Sequence, residues 1–347
     1  MSIVVLKLPD VKQKKGERPK ACPYCAGETF QRWGEVSKPV RDTRCRKVRV
    51  YRYRCCGCGR TFRHYPEGTT RADQTERLRL FAVLCWTFGL SFRGVCAILS
   101  GLKIRISHET VWRNAQEQGK KLKRRNQWRK VRVLGVDGAA VLGWGDKRSV
   151  LVAVDMGTGE PVALGYVNEY DLHAVQHWLE ELKQRLGVSV IVTDDLSTYR
   201  IVAQRLQLGH QVCQFHARRW VGKALRGFRE TIPKEWQWVL DEVEQLIEVL
   251  PHDGDKRLYA LWKQVAVRRS GRAKPLTALE QLRDLLLRLS ERWQDYCTFQ
   301  HEPEVPWTNN LTEQAIGRMK MRARTVRGYK SWAGMQTGLL LAGTKAI

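Results

Sequence analysis

The chain has 347 residues, 43% of them hydrophobic, and carries 61 Lys and Arg against 35 Asp and Glu, a net charge of +26. That length supports more than one core, and that charge favours a polyanionic partner, because each neutralised phosphate releases counterions. No apolar run approaches a membrane-spanning length, and the start of the chain (MSIVVLKLPDVKQKKGERPK) lacks the apolar stretch of a signal peptide, so the expectation is a soluble, intracellular protein whose ten cysteines are thiols or metal ligands.

Residues 1–20 read as a basic N-terminal arm. Beyond it the basic residues fall into three blocks. Residues 38–63 hold ten Lys or Arg and one acid, Asp42; residues 120–132 hold eight and no acid; residues 318–330 hold six and no acid. Three separate blocks describe a long nucleic-acid track rather than one point of contact. In the first block the cations alternate with Val, Tyr and Cys, the pattern of the outer face of a strand.

Cys22-Pro-Tyr-Cys25 and Cys55-Cys-Gly-Cys58 are C-x-x-C knuckles, and the alternating segment Val48–Arg54 runs into the second. Two knuckles with such a strand describe a zinc ribbon over residues 21–68, with four thiolates for one tetrahedral Zn²⁺. The gap between the knuckles is long, so an extended hairpin must separate them. Cys45 and Cys56 are spare thiols or alternative ligands. So small a segment has little core, and metal would supply its folding free energy.

Residues 73–89 carry apolar side chains at helical spacing (Leu78, Leu80, Phe81, Leu84, Cys85, Phe88), closed by Gly89. Ser91 and Ser107 stand as N-caps of two further helices, with a break at Gly101. An apolar helix, a turn and a capped helix with polar residues at its start form a helix-turn-helix pattern over residues 69–128. An ordinary helical bundle shares that pattern; the adjacent basic block favours DNA. Thr110, Arg113 and Asn114 are the candidates for base or phosphate contact, with Lys121, Arg124 and Arg125 extending the track.

From residue 131 the period changes. Val131–Val136 is apolar and ends in Asp137-Gly138; Val150–Val154 ends in Asp155; Pro161–Val167 is a third strand. Tight turns between them predict an antiparallel meander. A helix over Asp171–Leu186 follows, then a strand over Val188–Val192 ending in Thr193-Asp194-Asp195, another helix, and a strand over His210–Phe215. The order predicts an α/β unit with one mixed sheet. Residues 217–304 show only helical periodicity, with one stripe of Val239, Leu240, Val243, Leu246, Ile247 and Leu250 and another of Leu279, Leu282, Leu286, Leu289 and Trp293. Trp236, Trp238, Trp262 and Trp293 belong to this helical core.

This order of motifs resembles the RNase H-like DDE transposases of bacterial insertion sequences. Asp137 stands where that family has its first acid, and Asp194, with Tyr199 five residues later, where it has the second. Trp307-Thr-Asn-Asn310-Leu-Thr-Glu313 resembles the segment that carries the third, on a helix beginning Asn-Asn. Cys213-Gln-Phe-His216 resembles the C-x-x-H motif of the Mutator-like group, which makes Cys213 and His216 accessory residues, and RGYKSWAG resembles the family's tail. The resemblance implies an α/β RNase H-like catalytic core (residues 129–216 and 305–347) with an all-helical insertion (217–304), preceded by a zinc ribbon and a helical helix-turn-helix domain. It implies metal-dependent DNA cleavage and strand transfer by Asp137, Asp194 and Glu313 with two Mg²⁺ or Mn²⁺ ions. The implied partners are double-stranded DNA, as element ends and target, and further copies of the chain in a homodimer or higher oligomer, on the nucleoid in the cytoplasm. Arg318, Lys320 and Arg322 would then meet DNA.

Two-metal phosphodiester chemistry needs hard oxygen ligands and open coordination positions, which carboxylates supply. Each acid also has a plainer reading. Asp137 could open a turn, Asp195 rather than Asp194 could be the second acid or an N-cap, and Glu313, three residues after Asn310, could close a capping box. Asp155 reads as a turn residue. His216 could be a core histidine and Cys213 a small buried hydrophobe. A non-catalytic DNA-binding regulator descended from a transposase would share the N-terminal half but need no acid triad. A nuclease of branched DNA would share the acids but have less use for a ribbon and a helix-turn-helix.

Overall fold

The computed structural model describes residues 8–13, 17–143, 146–265, 276–326 and 328–344, with side chains of 142–148 left aside. Part of the basic arm and Arg327 of the third basic block lie outside these residues. The chain divides into two compact units. One is Met1–Leu122 with Arg324–Val326 and Ala346–Ile347; the other is Lys123–Ala323 with Arg327–Lys345.

The first unit opens with an antiparallel sheet of β1 (Phe30–Pro39), β2 (Lys47–Cys55) and β3 (Thr61–His64), in that order. In β2 Val48 and Val50 are buried on one face and Tyr51, Tyr53 and Cys55 on the other, with Arg49, Arg52 and Arg54 exposed, so the buried face changes between Val50 and Tyr51 rather than alternating throughout. Phe30, Tyr51, Tyr53 and Phe62 pack with Cys22 and Cys55 into a small core. Asp42, the one acid of the first basic block, is buried. Its carboxylate accepts from the Arg77 guanidinium (2.5 Å), from the Thr75 hydroxyl and from the backbone N–H groups of Arg44 and Cys45. Burial opposes its charge, but these bonds win and hold its pKa down to about 2.

Three helices follow: α1 (Glu76–Thr87), α2 (Phe92–Gly101) and α3 (His108–Gln127). The Ser91 hydroxyl caps α2 by accepting from Gly94 N at 3.0 Å, and Ser107 accepts from Thr110 N at 3.2 Å. Gly89 takes φ +114°, a conformation in which a side chain would be strained, and so ends the first helical stretch. Helix α2 ends at Gly101, where the sequence predicts a break, and the chain turns at Leu102 and Lys103, the latter at φ +59°.

The second unit is built on a five-stranded sheet: β4 (Val133–Gly143), β5 (Asp146–Asp155), β6 (Glu160–Gly165), β7 (Val190–Thr193) and β8 (Gly209–Val212), in the order β6-β5-β4-β7-β8. The first three are antiparallel; β4, β7 and β8 run parallel. The crossovers are α4 (Leu172–Leu186), capped by Asp171, and α5 (Ser197–Arg205). Val175, Trp178, Leu179 and Leu182 of α4 pack on Leu134, Val136, Leu151 and Ile191 of the sheet. The mixed α/β sheet of the sequence reading is therefore present.

Two strand ends differ from expectation. β4 runs on to Gly143, so Asp137 stands within the strand, because β5 continues the ladder opposite it (Asp137 to Val152, Gly143 to Asp146). β8 stops at Val212, and Gln214-Phe215 begin α6 (Gln214–Thr231). The described residues that follow are helical: α7 (Gln237–Val249), α8 (Gly254–Gln264), α9 (Ala278–Glu291) and α10 (Trp293–His301), sharing a core that includes both predicted apolar stripes and Trp293. Trp236 and Trp262 pack against it, whereas Trp238 is 47% exposed and is not the core residue expected. Helices α11 (Asn310–Arg324) and α12 (Trp332–Gly343) close the chain. No helix of the described residues is long and apolar enough to cross a membrane.

Candidate functional site

Parallel pairing of β4 and β7 joins Val133 to Val190, Leu134 to Ile191 and Gly135 to Val192. Two residues beyond the last pair stand Asp137, within β4, and Asp194, just past the end of β7. The third predicted acid, Glu313, lies in the first turn of α11. That helix start is tied down from three directions. The Asn309 amide donates to Val136 O at 3.1 Å, Asn309 N donates to Cys213 Sγ at 3.3 Å, and Gln214 N donates to Trp307 O at 2.9 Å. The start of α11 is thus fixed to β4 and to the start of α6.

Electrostatics join the acids. The Asp137 carboxyl is pushed up to about 6, first by burial and then by the charges of Asp194, Glu169 and Glu313, against a 2.7 Å bond from Gly138 N. Asp194 is raised chiefly by burial and accepts from Leu196 N at 3.2 Å. Glu169, in the connection between β6 and α4, is raised by burial and by Asp194, while the Lys320 charge opposes the shift. The buried Tyr199 hydroxyl donates to Glu169 at 3.4 Å. Gly138 leaves room for this carboxylate, which occupies the space a Cβ would take.

Glu313 does not close a capping box. Its carboxylate meets His216 Nε2 at 2.9 Å, and Cys213, His216 and Glu313 bring their ligand atoms within 4.8 Å of one another. The accessory motif therefore packs against the third acid. Asp137, Asp194 and Glu313 do not themselves form so tight a group among the described residues. Unneutralised carboxylates repel, and one oxygen of Glu313 is engaged by His216. Asp195 is spent elsewhere: it bonds Arg292 at 2.6 Å, Arg288 at 2.7 Å and the Tyr296 hydroxyl at 3.3 Å. It is not the N-cap of α5. Asp155 holds Arg129 at 2.5 Å and Gly157 N at 2.9 Å, as a turn residue does.

In the first unit Cys22, Cys25, Cys55 and Cys58 bring their sulfurs within 4.8 Å of one another, with 3.8 Å between Cys22 and Cys58 and 3.5 Å between Cys25 and Cys55. Four thiolates around one ion at a Zn–S distance of about 2.3 Å stand roughly 3.8 Å apart, so the cluster fits Zn²⁺. The Cys58 backbone N–H, the neighbouring thiols and Gly57 N hold Cys55 down to about 7. Cys45 faces Asp42, and Cys56 is exposed; neither joins the cluster.

The expected DNA contacts divide. Thr110 is half-buried with its hydroxyl 3.0 Å from that of Ser107, Arg113 is exposed beside Glu109, and Lys121, Arg124, Arg125 and Lys320 are exposed. Asn114 is a correction: it is 4% exposed and its amide donates to Gln74 at 2.9 Å, because it shares the inner face of α3 with Val111 and Ala115. Arg322 is another, 3% exposed on the inner face of α11 with Ala315 and Met319. Arg318 is half-buried and donates to Gly343 O at 2.6 Å. A run of cations read without helical phase hides such inward positions.

Sequence reading also missed groups that the fold assembles. Glu169 lies in a short connection with no periodicity to mark it. Residues 214–229 hold five Lys or Arg and no acid. Arg219, Lys223 and Arg226 of that run line a cavity of about 820 Å³ with Asp194, Asp195 and His216.

Comparison with known proteins gives the class, a DDE-type insertion-sequence transposase. The family model described as "Transposase IS66 family" matches residues 159–337, just over half of the chain, and the chain belongs to that family. The matched span takes in Glu169, Asp194, His216 and Glu313 and begins after Asp137. Among solved structures the chain is similar to one titled "Drosophila P element transposase strand transfer complex", with 10% identity and a TM-score of 0.42, covering 80% of this chain and 92% of that one. No curated protein matches the chain.

Proposed function

We propose that Asp137, Asp194 and Glu313 hold two Mg²⁺ or Mn²⁺ ions and that the chain cuts DNA at the ends of an insertion sequence and joins the freed ends to target DNA. The observation that carries this reading is the parallel register that sets Asp137 beside Asp194, with Asn309 tying the Glu313 helix to the same strand. The donor set fits hard divalent cations: burial and the charges of Asp194 and Glu313 raise the Asp137 carboxyl, and a cation would relieve that repulsion. Bound ions would supply a more acidic water and charge neutralisation at the reacting phosphate. In cleavage, water oxygen bonds to phosphorus as the P–O3′ bond breaks, leaving a 3′-hydroxyl. In transfer, that hydroxyl oxygen bonds to a target phosphorus and the target P–O3′ bond breaks. His216 is a positioning residue, holding the Glu313 carboxylate in place.

The strand order, three antiparallel then two parallel, supports an RNase H-like core over 129–216 and 305–347 with 217–304 as a helical insertion. The four-cysteine cluster supports a zinc ribbon over 21–68. Capped α2 and α3 support a helix-turn-helix over 69–128 that meets duplex DNA through Thr110 and Arg113, with Lys121, Arg124, Arg125 and Lys320 on phosphates. Two element ends call for a homodimer or higher oligomer.

The test is Mg²⁺-dependent cleavage of DNA spanning an element end. Asp137→Asn, Asp194→Asn and Glu313→Gln should each fall below about 1% of wild type, beyond the 10–100-fold typical of losing an outer partner of a metal site. His216→Ala should fall within that smaller range. Wild-type rates in all three acid variants would reject the site, and an inactive wild type that still binds the end would favour a DNA-binding regulator.

A further inference from the structure

Two large aromatic side chains stand half in solvent beside the acids: Phe215 is 54% exposed and Trp307 51%. With Arg218, Arg219, Thr308 and Asn310 they line a cavity of about 430 Å³. The bond from Gln214 N to Trp307 O holds the start of α6 against the start of α11, so the two rings flank one opening. The Phe215 ring meets His216 edge-on, 5.6 Å between centroids, and His216 bonds Glu313. The Arg218 guanidinium lies 5.8 Å from the Trp307 ring centre. Arg219 also lines the larger cavity that Lys223 and Arg226 share with Asp194 and His216.

We propose that the Phe215–Trp307 cavity receives one unpaired nucleobase of a DNA strand, whose phosphates continue along Arg219, Lys223 and Arg226 of α6. The proposal rests on the reading of the neighbouring acids as a DNA-cutting site. Every base has a π-face that stacks on aromatic rings, and stacking of this kind combined with a cationic track is the common way of holding single strands. The Thr308 hydroxyl and the Asn310 amide are polar groups within reach of a base edge. Bases in an intact duplex already stack on each other and present no free face, so this cavity selects an unpaired base one residue away from the His216–Glu313 pair. It would thereby set which phosphate enters the acids.

The test is photo-crosslinking with 5-iodouracil placed in a single strand of about ten nucleotides, within the range one such groove covers, compared with the same strand in duplex form, followed by peptide mapping. The peptides carrying Phe215 or Trp307 should crosslink to the single strand and not to the duplex. The Phe215→Ala/Trp307→Ala double variant should lose about tenfold of that crosslink, near the low end of what one stacked base contributes, while Trp307→Phe, which keeps a ring, should retain most of it. Crosslinks confined to other peptides, equal labelling by duplex, or an undiminished signal in the double alanine variant would overturn the proposal. The readout needs neither metal nor cleavage, so failure of the catalytic reading would leave this result standing.

Discussion

Adjacent residues of one motif, Asp194 and Asp195, have opposite fates. Asp195 is neutralised by Arg288 and Arg292 from α9 and its C-terminal end, and so serves the packing of helices on the sheet. Asp194 faces other acids. Burial first, and then these neighbouring charges, disfavour the ionised Asp137 carboxylate. Its folded pKa lies above the usual carboxylate value of 3.8, at about 6, so the folded protein holds this proton more tightly than the unfolded chain. The cost to stability is absent below about pH 3.8, grows across the window up to about 6 and is complete above it, where it amounts to about 3 kcal/mol. In protein dialysed free of Mg²⁺, Asp137→Asn should raise the melting temperature at pH 7.5 and have little effect at pH 4. Added Mg²⁺ should then stabilise wild type more than the variant. Equal melting curves for both proteins at pH 7.5 would contradict the strained-acid description.

At the scale of elements, strands and helices that bury one face announce themselves. β2 alternates on either side of Val50-Tyr51, α4 places Val175, Trp178, Leu179 and Leu182 on one side, and α9 repeats Leu282, Leu286 and Leu289; each was legible because burial writes its period into the sequence. Strand ends were less legible. β4 continues past Asp137 only because β5 pairs with it, a contact that leaves no local mark. The sheet of β1, β2 and β3 has a core of few residues around Cys22 and Cys55, so a metal held by its four thiols would be expected to supply part of its order. Purified metal-replete protein should carry zinc near one per chain, and Cys22→Ser should lose it. Chelation should collapse amide protection in β1–β3 while leaving β4–β8 protected, measured by hydrogen exchange. Zinc near zero in replete wild type, or unchanged protection after its removal, would dismiss the ribbon.

For the whole molecule the charge of +26 would dominate encounters with DNA. Random-sequence duplex binding should weaken linearly on a log–log plot against salt, with a slope of about −0.9 per phosphate contacted. Replacing Lys121, Arg124 and Arg125 by Ala should flatten that slope by up to about 3, read by fluorescence anisotropy; an unaltered slope would place the duplex track elsewhere. Arg318 and Arg322 contribute less than their place in a basic run suggests, since one is bonded to Gly343 O and the other lies on the inner face of α11.

Composition and short-range pattern were enough for a basic α/β protein with two cysteine knuckles, capped helices and acids near strand and helix ends, because charge, capping and amphipathic period are properties of neighbouring residues. They were not enough to separate Asp194 from Asp195, to show that Asn114 and Arg322 point inward, or to bring Glu169 to Asp137 and His216 to Glu313. Those depend on which elements pack together, and partners about 30 and 97 positions apart, as Tyr199 is from Glu169 and Glu313 from His216, leave no periodic trace along the chain.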